Sequence, residues 1–326
     1  MIKISREYVG KRLDVFLSKY LESVGHIVLT RTVLKSNWSD LVTVNSKVQK
    51  PGYKLSEGDE IFVNEDRVKE LEDSMSTDVR IEAEEGDLDI VFENTDFLVI
   101  KKEKGMVVHP GIGNRGNTLA NKVRGYLESK GEYDSRVKRA GVVHRLDKGV
   151  SGLIVFAKSY RSQKFLQKQF EEHKVKKIYL ATVEYSELKP EIKEYFSIKG
   201  RNIKKEIDAV VKNDFLLDNS WYEARGYIRR SPRNRVKMEF NIFKSGNAKN
   251  SISYIKPINN QDILVIIETG RMHQIRATLE YLGMTIVGDT LYGNGSQRSM
   301  PDKIELKSIL LKFKDTEGKD LIIKDI

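Results

Sequence analysis

Cysteine is absent from the sequence, which excludes disulfides, thiolate nucleophiles and cysteine-held metal sites. Long apolar runs are missing too. No segment approaches the roughly 20 apolar residues of a membrane span, and Met1-Ile2-Lys3-Ile4-Ser5-Arg6 leads into no apolar stretch of the kind a signal peptide carries. A cytoplasmic protein without membrane association is expected. Histidine is sparse, and His26, His109, His144, His173 and His273 show no metal-ligand spacing, so no metal is expected. No internal repeat is visible.

Charge is plentiful. Of 326 residues, 39% are hydrophobic and 32% charged, the balance of a folded globular chain. The length allows one large domain and a smaller companion. The formal net charge of +10 points to a polyanionic partner, because cationic side chains gain free energy by displacing condensed counterions from phosphates. A lysine-rich solvated surface would give the same charge, so motifs must decide.

Leu13, Phe16, Leu17, Tyr20 and Leu21 fall on one face of an amphipathic helix. A second short helix is expected from Thr30, whose hydroxyl can cap it, to Trp38, with Val33 and Leu34 inward. Strands are expected at Leu41-Val42-Thr43-Val44 and, after the turn Glu57-Gly58-Asp59, at Glu60-Ile61-Phe62-Val63. Residues 64–84 hold a stretch dominated by Glu, Asp, Lys, Arg and Ser and read as a linker. Beyond it, Phe97–Ile100, Leu153–Phe156, Ile178–Val183 and Ile263–Ile267 read as buried strands. Helices are expected at about Leu119–Leu127, Ser162–Glu172 and Met272–Tyr281. The last would carry Met272, Ile275 and Leu279 on its apolar face.

The first sixty or so residues resemble an S4 RNA-binding domain. The likeness rests on Lys11-Arg12-Leu13-Asp14, Thr30-Arg31-Thr32, Val44-Asn45-Ser46-Lys47, Lys50-Pro51-Gly52 and Gly58-Asp59. It implies that Lys11, Arg12 and Arg31 face RNA, against the plain alternative of solvated helix charges. Ser46 stands where these domains usually have a turn glycine, so a less relaxed turn is expected.

Three later segments place polar residues where strands begin or end. Gly141-Val142-Val143-His144-Arg145-Leu146-Asp147-Lys148-Gly149-Val150-Ser151-Gly152 puts Asp147 in a glycine-flanked loop before a buried strand. A carboxylate there can equally cap a turn. Lys176-Lys177-Ile178-Tyr179-Leu180-Ala181 starts a strand with one tyrosine among lysines, and such a tyrosine is usually core with its hydroxyl at the boundary. Glu268 through Leu279 turns at Gly270 into a helix with Arg276 beside its apolar face. A buried arginine needs a carboxylate partner.

Taken in this order, the segments resemble the RluA family of pseudouridine synthases. The strongest match is His144-Arg145-Leu146-Asp147 with Ser151-Gly152-Leu153. It is joined by Lys102 through Pro110, Lys177-Ile178-Tyr179-Leu180-Ala181, Arg229 through Arg235 with Lys237-Met238, Thr269 through Arg276, and Gly288-Asp289-Thr290-Leu291-Tyr292-Gly293. An S4 domain in front is a known arrangement in this family. The implied fold class is α+β: a small S4 domain of two helices and a small sheet at 1–63, a linker at 64–84, and a catalytic domain at 85–326 with a mixed, largely antiparallel sheet flanked by helices. The family usually has proline at Glu103 and threonine at Val150, so one loop loses rigidity and another a hydroxyl. The segment from about Gly200 to Asn219 matches poorly, and no functional residue is expected there.

The resemblance implies isomerisation of uridine to pseudouridine with Asp147 as the catalytic carboxylate, attacking base or sugar or initiating elimination. It assigns Arg276 as the cation that keeps Asp147 ionised and Tyr179 as the residue stacked on the target base. It also implies that Arg145 flips the uridine out, and Arg271 is grouped with the RNA-binding residues. His144 and His273 are expected to orient loops. No cofactor is implied. The expected partner is RNA, large-subunit ribosomal RNA of the 23S type before transfer RNA, and the expected state is a monomer. The rival readings are a non-catalytic RNA-binding or ribosome-assembly protein and a metal-dependent nuclease or phosphatase.

Overall fold

Leu13, Phe16, Leu17 and Leu21 are all buried on one face of the helix Leu13–Ser23 (α1), as their spacing demands. The computed structural model describes residues 2–24, 34–35, 37–38, 40–71, 81–111, 114–185, 187–197, 201–293 and 303–326. The chain forms two compact units, Met1–Arg80 and Ile81–Ile326.

In the first unit α1 packs on a three-stranded sheet of Ile2–Lys3 (β1), Val42–Val44 (β2) and Glu60–Val63 (β3), in the antiparallel order β1-β3-β2. Leu17, Leu34, Leu41, Val44 and Ile61 form its core. Most of the expected second helix, with Arg31, lies outside the described residues; Leu34 and Trp38 are buried. At the turn after β2, Asn45 and Ser46 both adopt left-handed backbone, φ 50° and 60°. Asn45 offsets part of that cost: its side chain accepts the Glu60 N–H at 2.9 Å and donates to Asp59 at 2.9 Å.

The stretch expected as a linker is built into the fold at both described ends. Residues 65–71 are helical and bury Val68 and Leu71 in the first core, because two apolar side chains three apart share one helix face. Ile81 is buried in the second unit's core, and Asn121 Nδ2 donates to the Glu82 carbonyl at 2.8 Å.

The second unit is organised around an 11-stranded sheet. Its strands are Ile90–Glu93 (β4), Phe97–Lys102 (β5), Ser151–Ala157 (β6), Lys176–Tyr185 (β7), Tyr222–Arg230 (β8), Met238–Asn241 (β9), Lys249–Pro257 (β10), Asp262–Ile267 (β11), Met284–Ile286 (β12), Leu306–Lys314 (β13) and Asp320–Lys324 (β14). The order is β4-β5-β6-β13-β7-β11-β10-β8-β9, with β12 on β7 and β14 on β13. Among the described strands only β13 and β6 pair in parallel.

The period-2 alternation sorts side chains between two covered faces. Ile154, Phe156, Tyr179, Ala181 and Val265 share one core with Leu119–Ser129 (α2) and Gln274–Tyr281 (α5). On the opposite face Leu153 and Val155 pack with Leu166 of Tyr160–Glu171 (α3). Ile178, Leu264 and Ile266 pack there with Ile207 and Val210 of Ile203–Lys212 (α4). Covering both faces is why these strands read as near-continuous apolar runs. Helix α4 falls within the segment that read simply as polar; Asn202 caps it, accepting the Lys205 N–H at 3.0 Å. Helix α3 begins two residues earlier than expected, after Ser159, whose hydroxyl accepts the Ser162 N–H at 3.1 Å.

Gly152 is where β6 meets β13. Its φ is +102°, and a Cβ there would lie 2.2 Å from the Ser308 carbonyl oxygen. Gly152→Ala is expected to cost about 2 kcal/mol or more through strain and overlap. Gly131→Ala, at φ +69° but facing open space, should cost on the order of 1 kcal/mol. Urea denaturation of the two variants checks the contrast.

Candidate active site

Asp147 lies in the loop that feeds β6, and that loop is tied down from below. The Asp147 carbonyl accepts the Val150 N–H at 3.0 Å, and the Lys148 carbonyl accepts the Gly105 N–H at 2.9 Å. Lys102, only 1% exposed, donates from Nζ to the carbonyls of Glu103 and Met106 at 2.8 Å and of Lys148 at 3.1 Å. Burial pushes this ammonium down to about 8, against the pull of Asp147 and Glu103. The turn that lacks the family's proline at Glu103 is thus held by a buried cation. Val150 is buried in the core beneath the loop.

His144 anchors the other side of the loop. Its Nε2 accepts the Val155 N–H at 3.0 Å, and its ring stacks on Phe170 with centroids 4.7 Å apart. Burial and the nearby Lys177 charge push its pKa down to about 3. The ring is therefore neutral, with its proton on Nδ1.

The opposite wall comes from the turn between β11 and α5. Gln274, buried, holds it: Oε1 accepts from the Thr269 hydroxyl at 2.8 Å and from the Arg271 N–H at 3.0 Å, while Nε2 donates to the Ile252 carbonyl and the Ser253 hydroxyl, both at 3.0 Å. Met272 was expected on the apolar face of the helix. It lies instead in the turn, 44% exposed, because the helix begins only at Gln274. His273 caps that start in left-handed backbone, φ 53°.

One turn into α5, Arg276 is 7% exposed. Its Nε and Nη2 donate to the two oxygens of Asp289 at 2.7 and 2.8 Å, a bidentate pair. Its Nη1 reaches Asp147 Oδ2 at 3.2 Å. Asp289 is fully buried and also accepts the Leu291 and Tyr292 N–H groups, both at 3.1 Å. The Tyr292 ring lies 4.9 Å from the guanidinium carbon, and its hydroxyl is 3.1 Å from His273 Nδ1. His273 Nε2 comes within 3.9 Å of Asp147 Oδ2. Burial lowers the His273 pKa against the attraction of Asp147, so the ring is neutral near pH 7 and this approach is not an ion pair.

Tyr179 stands on β7 between β13 and β11, opposite Ser308 and Val265. Burial and the Asp147 charge hold its hydroxyl well above the ordinary tyrosine range, so it stays protonated. Asp147, Tyr179, Arg276, Arg145 and Arg271 all line one cleft of about 590 Å³. Arg145 is exposed, and Arg271 donates from Nε to the Asn250 carbonyl at 3.0 Å. Lys11 and Arg12 belong to the first unit, and Arg31 lies outside the described residues.

The family model for RNA pseudouridylate synthase matches residues 96–281. The chain belongs to the RNA pseudouridylate synthase family. Of the residues lining the cleft, all but Leu306 fall within the matched span. Among curated relatives, a ribosomal large subunit pseudouridine synthase D from Neisseria meningitidis serogroup B is 32% identical over 90% of this chain and 66% of its own length. An uncharacterized RNA pseudouridine synthase from Helicobacter pylori is 32% identical over 93% and 82%. The synthase D of Salmonella typhimurium is 27% identical over 95% and 81%. The chain thus spans just under two thirds of the Neisseria relative's length. The fold is shared with human RNA pseudouridylate synthase domain containing 1, at TM-score 0.50 and 22% identity, covering 74% of this chain and 86% of that one.

Four residues that line or support the cleft carried no role in the sequence reading: Gln274 in its lining, and Asp289, Tyr292 and Lys102 behind it. All lie in segments quoted for the resemblance. Their signal was the fully buried environment of polar groups, which spacing alone does not reveal.

The depressed His144 pKa has a sign that can be tested. Its folded value, about 3, lies below the unfolded value of about 6.5. The contribution is therefore fully present above pH 6.5 and lost as the pH falls toward 3. The difference between wild type and His144→Gln in denaturant-derived stability should be largest at neutral pH and shrink as the pH falls below 6.5.

Proposed function

We propose that this chain isomerises uridine to pseudouridine in large-subunit ribosomal RNA, with Asp147 as the carboxylate that opens the reaction. The observation that carries the reading is the 3.2 Å contact between Asp147 and the buried Arg276, in a cleft that Tyr179 also lines. A guanidinium already fixed by Asp289 orients a second carboxylate beside it. Asp147 is then available to attack the base or sugar, or to take a proton from the ribose.

The bond between ribose C1′ and uracil N1 breaks, the base turns in place, and a bond from C1′ to C5 forms. C5 releases its hydrogen as a proton and N1 gains one. The conversion is redox-neutral and calls on no cofactor. Tyr179 serves as the stacking surface for the turning base, a contact worth on the order of 1 to 3 kcal/mol. Arg145, exposed at the cleft mouth, takes the place of the flipped uridine in its helix, and Arg271 contacts the strand beside it.

The large-subunit assignment is supported by the names of the Neisseria and Salmonella relatives; transfer RNA is the alternative substrate. Residues 1–63 act in this reading as an S4-type RNA-binding domain ahead of a catalytic domain at 85–326. Of its two described basic candidates, Lys11 carries more of the phosphate contact than Arg12, whose guanidinium is already engaged by the buried Asp14 at 3.0 Å.

Ribosomal and transfer RNA transcripts tritiated at uridine C5 test the proposal. Wild type should release tritium from a large-subunit transcript, and Asp147→Ala should lower the rate by at least about 10³-fold. Tight binding without release from any RNA would favour the non-catalytic reading. Release by Asp147→Ala at the wild-type rate would remove Asp147 from the mechanism.

A further inference from the structure

Two lysines are buried beside the cleft, and they differ in one respect. Lys102 is saturated by three carbonyl oxygens. Lys177, 6% exposed on β7, has no hydrogen bond or ion pair to its Nζ among the described residues. Its ammonium lies 5.5 Å from the centroid of the Phe170 ring and about as near as van der Waals contact to the position a Gly270 side chain would take, 3.9 Å. Phe170, Gly270, His144 and Lys177 all line the cleft that holds Asp147.

The Lys177 side chain is buried while its ammonium keeps contact with the cleft, and a largely desolvated ammonium is normally paired. The cation–π contact with Phe170 offsets only part of the desolvation cost. His144 supplies nothing, because its Nε2 is already taken by the Val155 N–H. Gly270 leaves the ammonium uncovered on the cleft side, where any Cβ would stand against it. An anion entering the cleft would therefore meet a cation that no protein carboxylate has neutralised.

Spacing along β7 identifies the anion. Lys177 and Tyr179 are two residues apart on one strand, so their side chains point to the same face about 6.7 Å apart at the backbone. That is the scale of the distance from a nucleobase to the phosphate of its own or the adjoining nucleotide. The inference rests on the reading of Tyr179 as the surface on which the target base stacks. We propose that Lys177 is a substrate-binding residue that takes a backbone phosphodiester of the flipped nucleotide or its immediate neighbour. The buried stem places the contact at the low-dielectric wall of the cleft, which strengthens it over one on the open surface. The lowered ammonium pKa, about 8 through burial with Lys176 adding repulsion, fits a group that lacks its counter-charge until RNA arrives.

The test uses the full chain, with wild type, Lys177→Met and Lys177→Arg compared in two assays on the same large-subunit transcript. One is equilibrium binding across 50 to 200 mM KCl; the other is single-turnover tritium release. Lys177→Met should weaken binding by roughly 3- to 30-fold at low salt and reduce the slope of log affinity against log salt by about 0.7 to 0.9, the share of one phosphate contact. Its saturating rate should fall much less than its affinity. Lys177→Arg should restore the slope. Met matches the lysine stem in length and removes the buried charge, and thermal melting checks that the variant folds. Equal affinity and slope in wild type and Lys177→Met would overturn the proposal, as would a loss confined to the saturating rate. If wild type binds RNA with the Lys177-dependent slope but releases no tritium, the enzymatic reading fails while the phosphate contact stands.

Discussion

The cleft depends on how one buried guanidinium is shared between two carboxylates. Arg276 gives its bidentate edge to Asp289, at 2.7 and 2.8 Å, and only a single longer contact of 3.2 Å to Asp147. Removing a cation of this size from water costs several kcal/mol unless it is well paired, and Asp289 bears that role. Asp289 in turn is fully buried and is satisfied by the backbone N–H groups of Leu291 and Tyr292. The division matters chemically. A carboxylate locked in a bidentate pair has little freedom to react, whereas Asp147 is oriented by one hydrogen bond while still meeting the cleft.

Around that pair the fold supplies rigidity from three directions. The β11–α5 turn is fastened by the buried Gln274, the Asp147 loop is fastened to the 103–106 turn by Lys102, and His144 pins the loop to β6 through the Val155 N–H. Gln274 and Lys102 are buried polar groups with their partners satisfied, so each specifies one geometry rather than a family of them. Gly152 allows β6 and β13 to approach closely enough to form the parallel pair beneath the loop.

Much of this was legible in the sequence, and the reasons for the gaps are physical. Strands such as Ile178–Val183 and Ile263–Ile267 announce themselves because burial on both faces leaves continuous apolar runs. The Asp147, Tyr179 and Arg276 segments stood out through family-like motifs, and the structure brings the three into one cleft. Asp289 was visible in its motif but mute: its role depends on a guanidinium 13 residues earlier in the chain, which no local pattern encodes. Met272 was misplaced because apolar periodicity runs through the left-handed cap at His273 without marking it. The 64–84 stretch read as linker because Val68 and Leu71 are few among many charges, yet two apolar residues on one face suffice to dock a short helix.

Asp289 fixes the Arg276 guanidinium that contacts Asp147, so in the proposed reaction it should act through Arg276 without meeting the substrate. Single-turnover tritium release by Asp289→Asn, measured at saturating protein beside Arg276→Lys, tests it most directly. The account predicts a rate at least tenfold below wild type, RNA affinity little changed, and no further loss when Asp289→Asn is added to Arg276→Lys. A folded Asp289→Asn protein that releases tritium at the wild-type rate would contradict it.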